Sequence, residues 1–238
     1  MSEIKFNTIE EAIEEFKNGR PVIVADDEDR ENEGDVIIPA QFASPETVNF
    51  LISHCKGVLC LALTRDKAEK LGLSEMVSHN TDPKGTAFTQ SIDADRKFGV
   101  TTGVSAYDRA KTIQVAIAND ALPSDLSRPG HVFPLIARSG GVLERVGHTE
   151  ASVDLARLAG LTPAAVICEI VNDDGTMARR DNLMEFSKKY NLKFITVAQL
   201  IEYRLQKEMF VKREAVANLP SDFGDFKVYG YINQLSGV

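Results

Sequence analysis

The densest group of chemically active side chains in this sequence is an acidic segment, DDEDRENEGD, at residues 26–35. It holds seven carboxylates and one guanidinium, and it lies between two short apolar runs at residues 21–25 and 36–40. Apolar runs rich in β-branched residues are typical of buried strands. Crowded carboxylates repel one another unless cations or donors offset their charge, and carboxylate oxygens are ligands that Mg²⁺ uses. The segment therefore predicts a divalent-cation site.

A solvated loop and an EF-hand are two alternative structures for the acidic segment. A run of charges is most often a solvated surface, but two apolar runs directly beside this one favour a site. An EF-hand needs a bidentate Glu at the twelfth position of its loop, where this sequence has Ala40. The EF-hand is excluded, and the solvated loop stays the alternative.

Two histidines lie beside predicted turns and helix ends. His148 follows Gly147 just before a predicted helix, whose free amide groups favour an anion, and Arg145 lies two residues upstream of that glycine. This pattern indicates a metal-binding histidine beside a phosphate-binding segment, or, more simply, a helix capped by Thr149. His131 follows a proline-stiffened turn, and it is either catalytic or a histidine that bonds to the loop backbone.

One further carboxylate, Glu169, lies within the apolar run AAVICEIV. Burying a carboxylate is costly without a partner or a raised pKa, so Glu169 suits proton transfer, with an ordinary ion pair as the alternative. The segment GVTTG at residues 99–103 is a weak phosphate-loop signal before a helix.

Strands and helices alternate irregularly along the chain. Capping residues and apolar periodicity predict helices at 9–18, 45–56, 66–71, 106–118, 149–159, 179–190 and 197–208. Apolar runs predict strands at 21–25, 36–40, 58–64, 86–92, 131–137, 165–171 and 192–195, with a loop at 119–130. The lack of a regular βαβ rhythm predicts an α/β sandwich, a mixed sheet covered by helices.

The composition is that of an ordinary globular chain of 238 residues with a net charge of −8. The negative charge argues against nucleic acid or an anionic membrane as the main partner. Three cysteines without a CxxC pair predict free thiols in a reducing compartment. With no basic, apolar leader at the N-terminus and no run long enough to span a membrane, we expect a cytoplasmic protein.

Five motifs together give a specific resemblance. The acidic segment 26–35, FGVTTGVSAYDR (98–109), RPGHVFPL (128–135), RVGHTEASVDLARLAG (145–160) and CEIVNDDGTMAR (168–179) closely resemble the 3,4-dihydroxy-2-butanone 4-phosphate synthase family. The match runs in order from residue 8 to residue 206. It implies a three-layer mixed α/β sandwich, related to the YrdC-like fold, over residues 1–208.

The resemblance also implies the site and the reaction. The family's enzymes convert ribulose 5-phosphate to 3,4-dihydroxy-2-butanone 4-phosphate and formate, in riboflavin biosynthesis, through a metal-stabilised enediolate, dehydration and a skeletal rearrangement. They are homodimers with interfacial active sites and use two Mg²⁺ (or Mn²⁺) ions per site. By resemblance, the metal ligands are Glu31 and His148, and the catalytic residues are His131, Glu169 and Glu33. The implied substrate-binding residues are Arg30, Glu31, Asp35, Arg145, Val146, Gly147, His148, Thr149 and Glu169.

The last part of the chain, residues 209–238, resembles a linker and the start of a GTP cyclohydrolase II domain. That family's zinc-binding cysteines have no counterpart here, because the cysteines are Cys55, Cys60 and Cys168. We therefore expect no cyclohydrolase activity.

Two other functions compete with the lyase. One is an inactive sugar-phosphate-binding or dimerisation module, which the intact set of site residues argues against. The other is a nucleotide-binding protein of the YrdC-like fold, for which an acidic loop has the wrong charge.

Overall fold

The computed structural model describes residues 6–233, which contain seven α-helices and nine strands. The helices are α1 (Ile9–Lys17), α2 (Pro45–Phe50), α3 (Arg65–Lys70), α4 (Ala106–Ile117), α5 (His148–Leu158), α6 (Arg180–Tyr190) and α7 (Val197–Lys207). The strands are β1 (Val22–Ala25), β2 (Gly34–Pro39), β3 (Cys60–Leu63), β4 (Ile92–Ala94), β5 (Leu126–Ile136), β6 (Ala164–Glu169), β7 (Lys193–Thr196), β8 (Val211–Ser221) and β9 (Gly224–Asn233). Two compact units divide the chain, at residues 1–200 and 201–238.

The first unit is built on a seven-stranded mixed sheet in the order β4-β5-β3-β6-β2-β1-β7. β1 pairs with β7 and β3 with β5 in parallel, and the other neighbours are antiparallel. This mixed α/β architecture confirms the predicted fold class.

Successive residues of a strand point to opposite faces of the sheet, and both faces are covered here. Leu61 and Leu63 of β3 belong to the large core cluster that includes Val48 of α2 and Ile113 of α4. Ala62, between them, packs with Val153 of α5 on the other face. The sheet is therefore the middle layer of three, and strands buried on both faces read as continuous apolar runs, as β1 does and as β2 does after Asp35.

The predicted caps form at several helix starts. Thr8 and Glu11 make a reciprocal capping box at α1, and the Ser105 hydroxyl accepts the backbone N–H of Asp108 at α4. The second predicted helix is α-helical only to Phe50, and a wider π-helical turn continues it to Cys55. Lys56, in the left-handed conformation (φ 68°), ends that turn.

The predicted strand at 86–92 is wrong in its bounds, and the predicted loop at 119–130 is too long. β4 begins only at Ile92, while β5 begins at Leu126, five residues before the predicted start. The backbone N–H of Thr89 donates to the Pro134 carbonyl at 3.0 Å, but Pro134 has no N–H to return, so the ladder on that side is interrupted. Leu126 and Ser127 instead pair with Ala94 and Asp93.

The second unit contains a hairpin, β8 and β9, that we did not predict from the sequence. Its residues alternate in polarity, with Phe226, Val228 and Ile232 on one face of β9. Among the described residues, no helix is long and apolar enough to cross a membrane.

Candidate active site

The acidic segment is the connection between the antiparallel strands β1 and β2, and the buried carboxylate of Asp26 organises it. One Asp26 oxygen accepts the backbone N–H of Glu33 at 2.9 Å. The other accepts the backbone N–H of Glu31 at 3.1 Å and a guanidinium N–H of Arg30 at 2.7 Å. Asp27, Glu28 and Asp29 are exposed, but the rest of the segment folds around the buried Asp26 carboxylate, so it is not a wholly solvated loop.

Glu31, Asp35 and His148 come together at the inner side of this turn. Nδ1 of His148 lies 3.8 Å from Oε2 of Glu31 and 3.8 Å from Oδ1 of Asp35. Oδ1 of Asp35 is buried and has no hydrogen-bond partner among the described residues. An unpartnered buried carboxylate oxygen facing a histidine and a second carboxylate fits a divalent cation.

Asp26 also lies within 4.8 Å of the Glu31 and His148 ligand atoms. Both Asp26 oxygens already accept hydrogen bonds from the turn, whereas Glu31 accepts one from Arg30, to Oε2 at 2.8 Å. We therefore assign Asp26 to holding the turn, and Glu31 and His148, with Asp35 beside them, are the residues that could hold an ion. A Mg²⁺ ion suits oxygen donors of this kind, with one histidine.

Burial shifts the protonation of the groups around this cluster. It raises the pKa of Asp35 well above its usual value, and the neighbouring Glu169 adds to the effect. The pKa of Glu33 is raised by burial and, to a smaller extent, by the charge of Glu31. Burial also raises the pKa of Glu169, and the hydrogen bond from the Val58 backbone N–H offsets part of that rise. For His148 the same desolvation lowers the pKa, which favours the neutral, ligating form of the imidazole.

Glu169 reaches the cluster through the register of two strands. β2 and β6 pair so that Asp35 lies directly opposite Glu169. The backbone N–H of Val58 donates to Oε2 of Glu169 at 2.8 Å, and a Cβ on Gly57 would lie 2.5 Å from that same oxygen. The glycine lets the chain pass close enough to fix this carboxylate.

The N-terminus of α5 forms the second side of the site. Gly147, and not Thr149, is the N-cap, and the helix begins at His148. The Gly147 carbonyl accepts the Ala151 N–H, which closes the first turn and leaves Thr149 inside it. The predicted cap at Thr149 is therefore wrong, whereas the predicted helix N-terminus beside Arg145 is present.

The side chains of the acidic segment, of β6 and of the start of α5 line one cavity of about 270 Å³. Most of the predicted site residues are on its wall: Arg30, Glu31, Glu33, Asp35, Arg145, His148, Thr149 and Glu169. Cys60, Asp82, Thr86, Phe88, Leu135 and Ile167 complete the wall. Val146 and Gly147 are not on it, and the Val146 side chain is exposed.

His131 is also not on the cavity wall. It lies in β5 four residues before Leu135, which is on the wall, so about 13 Å of strand separate the two along the chain. Nδ1 of the half-exposed His131 contacts Oδ2 of Asp93 at 2.8 Å, and its backbone N–H donates to Oδ1 at 3.0 Å. One chain therefore does not bring His131 to this cavity, and its catalytic role stays a prediction.

Sequence reasoning did not single out Asp26 and Glu150, which hold parts of the site, or Asp93, which contacts His131 outside the cavity. Asp26 is one of seven carboxylates in its segment, and nothing in the sequence distinguishes Asp26 and Asp35, the two that are buried, from the other five. Glu150 follows the predicted anion-binding residues directly. Its place in the first helical turn was the only feature of the sequence that indicated a role in the site.

Comparison with known proteins is consistent with this geometry. The chain is 61% identical over 235 residues, or 99% of its length, to the riboflavin biosynthesis protein RibBA of Aquifex aeolicus, of which it spans 58%. The crystal structure of RibBX, a two-domain 3,4-dihydroxy-2-butanone 4-phosphate synthase from A. baumannii, is similar with a TM-score of 0.86 and 47% identity. That match covers 95% of this chain and 66% of RibBX.

A structure of 3,4-dihydroxy-2-butanone 4-phosphate synthase in complex with two magnesium ions is similar with a TM-score of 0.82 and 45% identity. The match covers 85% of this chain and 98% of that one. The model of the same synthase family matches residues 10–203. The chain therefore belongs to the 3,4-dihydroxy-2-butanone 4-phosphate synthase family.

Proposed function

We propose that this chain is a lyase that converts ribulose 5-phosphate to 3,4-dihydroxy-2-butanone 4-phosphate and formate, as the lyase step of riboflavin biosynthesis. The observation that carries the proposal is the cavity in which a cation-binding cluster, two further partly buried carboxylates and an anion-binding helix N-terminus meet. C4 of the pentose phosphate leaves as formate, so the two products together hold all the atoms of the substrate.

Glu31 and His148, with Asp35 beside them, are the residues that would hold Mg²⁺ or Mn²⁺, with two ions per site as the family resemblance implies. When bound, a divalent cation acts as a Lewis acid that stabilises negative charge developing on substrate oxygens. Asp35 is buried and lies opposite Glu169, so a bound cation also offsets the repulsion between these carboxylates.

Glu33 and Glu169 are the proposed proton carriers. Both line the cavity, and burial raises the pKa of each. A carboxylate with a raised pKa accepts a proton more readily and holds it longer, which suits removal and return of a proton at neighbouring carbons. Val58 fixes one Glu169 oxygen, so the other oxygen is the one available to substrate.

The phosphate of the substrate would lie against Arg145 and the first turn of α5. The backbone N–H groups of His148, Thr149 and Glu150 lie in that first turn, where a helix has no internal acceptors, and the helix dipole favours a negative group there. Arg145 adds a planar guanidinium suited to phosphate oxygens.

We further propose a homodimer in which His131 serves the cavity of a second copy. Asp93 holds Nδ1 of His131, which leaves Nε2 as the reactive nitrogen. The side chain is 44% exposed and about 13 Å of strand from the cavity of its own chain, so it is available to another molecule. The free, buried cysteines suit the cytoplasmic location that we propose from the sequence.

Formate release from ribulose 5-phosphate tests the reaction. We expect formate in equal amount with a four-carbon phosphate, strictly dependent on Mg²⁺ and abolished by EDTA. Absence of formate at any metal concentration would contradict the lyase.

A complementation experiment tests the shared site. His131→Ala and Glu31→Gln variants should each be inactive alone, and mixing them under exchange should restore up to about a quarter of wild-type activity per dimer site, the statistical share of hybrid sites. A mixture as inactive as its parts would show that His131 does not act across copies.

A further inference from the structure

Glu150 is a buried carboxylate that the proposed reaction does not use. Its side chain is 1% exposed, and it lies in the first turn of α5, facing the segment that leads into this helix. Oε1 accepts the backbone N–H of Arg138 at 3.0 Å, and Oε2 accepts a guanidinium N–H of Arg145 at 2.6 Å. A buried carboxylate with only these donors has a specific structural task.

That task concerns the direction of the Arg145 guanidinium. Its Nε–H donates to the Lys84 carbonyl at 3.0 Å, and a second terminal N–H donates to the Thr86 hydroxyl at 2.9 Å. With the contact to Glu150, three of the five guanidinium N–H groups are occupied on three different sides. The planar group is held in one orientation, and the Arg145 side chain lies on the cavity wall.

Gly147 provides the space for this contact. A Cβ on Gly147 would lie 2.2 Å from the nearest terminal nitrogen of Arg145 and 3.0 Å from Oε2 of Glu150. The backbone of Gly147 has φ −105°, which any residue adopts, so conformational freedom does not require glycine at this position. The missing side chain serves the Arg145–Glu150 contact.

A second buried carboxylate on the same helix provides a contrast. Asp154, one turn later, accepts the backbone N–H of Val142 at 2.8 Å, and a Cβ on Gly141 would lie 2.1 Å from one of its oxygens. Asp154 therefore fixes the backbone of the preceding segment, whereas Glu150 also fixes a side chain that faces the cavity.

We propose that Glu150 is a positioning residue, which orients Arg145 for the phosphate group of the substrate, with Gly147 kept free of a side chain for that purpose. The inference rests on the proposed function for the identity of the ligand. Losing one charge-assisted hydrogen bond to an oriented guanidinium is expected to weaken phosphate binding about tenfold to a hundredfold.

The test is a double-mutant cycle with Glu150→Gln and Arg145→Ala in the full chain, read in two ways. The first reading is KM and kcat for ribulose 5-phosphate, and the second is the affinity for inorganic phosphate by calorimetry with Mg²⁺ present. Glu150→Gln should raise KM about tenfold or more, with a smaller change in kcat, and should weaken phosphate binding by a similar factor. In the Arg145→Ala background it should have almost no further effect on either quantity.

Asp154→Asn is the matched control, since it removes a buried carboxylate of the same helix that accepts hydrogen bonds from the Val142 N–H and the Arg157 guanidinium. It should lower the melting temperature and combine additively with Arg145→Ala. Gly147→Ala, which breaks the contact and keeps both charges, should reproduce the KM effect of Glu150→Gln, and it replaces that variant if Glu150→Gln does not fold.

The positioning role is overturned if Glu150→Gln and Arg145→Ala combine additively, or if Glu150→Gln leaves both KM and phosphate affinity unchanged. A wild-type chain that releases no formate would overturn the proposed function instead. In that case the phosphate-binding cycle still decides the role of Glu150.

Discussion

Replacing Asp26 by Asn is the most informative single change in the acidic segment. The substitution keeps the size of the side chain, but one carboxylate oxygen becomes an amide group that donates. Oδ1 faces the Glu33 N–H, and Oδ2 faces the Glu31 N–H and the Arg30 guanidinium. Whichever way the amide turns, its NH₂ meets a donor, so at least one buried N–H loses its acceptor.

Two opposing effects decide the magnitude. A hydrogen bond to a charged group contributes about 1.5–3 kcal/mol, and an unsatisfied buried donor costs about 1–3 kcal/mol. Removing one of seven negative charges relieves repulsion, but water screens the exposed carboxylates of the segment, and two charges about 4 Å apart in water repel by only about 1 kcal/mol. The loss dominates, and we expect about 2–4 kcal/mol of destabilisation, or a melting temperature about 5–15 °C lower.

The assay is thermal unfolding followed by circular dichroism, without metal and across a Mg²⁺ titration. Because the turn positions Glu31, Asp26→Asn should also shift the Mg²⁺ midpoint to higher concentration. Asp27→Asn is the control, since Asp27 contacts only the exposed N–H of Asp29 through its side chain in the described structure. A melting temperature and a Mg²⁺ midpoint both equal to those of Asp27→Asn would refute the organising role of Asp26.

Three other changes test separate parts of the structure. Gly57→Ala places a Cβ 2.5 Å from Oε2 of Glu169 and should displace that carboxylate. A displacement of about 1 Å should lower kcat about a hundredfold, so normal turnover would contradict the role of Gly57. Asp35→Asn should abolish formate release. It should also raise the melting temperature at pH 7, because it removes a carboxylate whose ionisation burial disfavours. A lower melting temperature would show that the charge is stabilising. Hydrogen bonds from Lys193, the Thr8 backbone N–H and Asn7 together lower the pKa of Glu11 to about 2. These contacts therefore stabilise the fold above the ordinary pKa of 4.5, and that stabilisation is lost as the pH falls towards 2. Lys193→Met should therefore raise the midpoint of acid unfolding slightly, and an unchanged midpoint would leave that contact without a measurable contribution.

The elements that local chemistry determines were predictable from the sequence. The capping box of Thr8 and Glu11 and the cap at Ser105 are set by residues three apart, and the structure has both. The predicted N-cap of α5 lies too far along the chain, because Gly147 caps with its extended backbone and needs no side chain. A sequence pattern that searches for a hydroxyl cap selects Thr149 instead.

Elements that depend on pairing were less predictable. The bounds of β4 and β5 follow from which residues find partners across the strands, and the missing N–H of Pro134 decides where that pairing stops. The hairpin β8–β9 carried a readable signal that the strand prediction missed, the alternation of Phe226 and Val228 with polar neighbours before and after.

The site was predictable in its residue types but not in its assembly. Glu31, His148 and Glu169 are far apart in the sequence, and only the register of β2 on β6 and the position of α5 bring them to one cavity. The residues themselves proposed roles for His148 and Glu169, each beside a structural alternative, but only the resemblance to a family singled out Glu31, because composition and spacing alone left a solvated loop as an open alternative. His131 shows the limit of both approaches, since neither predicts that one chain keeps it off the cavity wall.

The pairing of Asp35 with Glu169 shows that the residues at these two positions are not the ones that would make the sheet most stable. Two carboxylates opposite each other on neighbouring central strands are destabilising, and burial raises the pKa of both. Apolar residues at these positions would continue the apolar runs of β2 and β6 and would stabilise the sheet. The chain instead keeps one Asp35 oxygen, beside His148, without a hydrogen-bond partner among the described residues, and it fixes Glu169 with the Val58 amide. An arrangement that lowers stability and leaves one oxygen without a hydrogen bond is expected where a bound ligand completes it. A cation held by Glu31, Asp35 and His148 would both offset the repulsion and give that oxygen a partner.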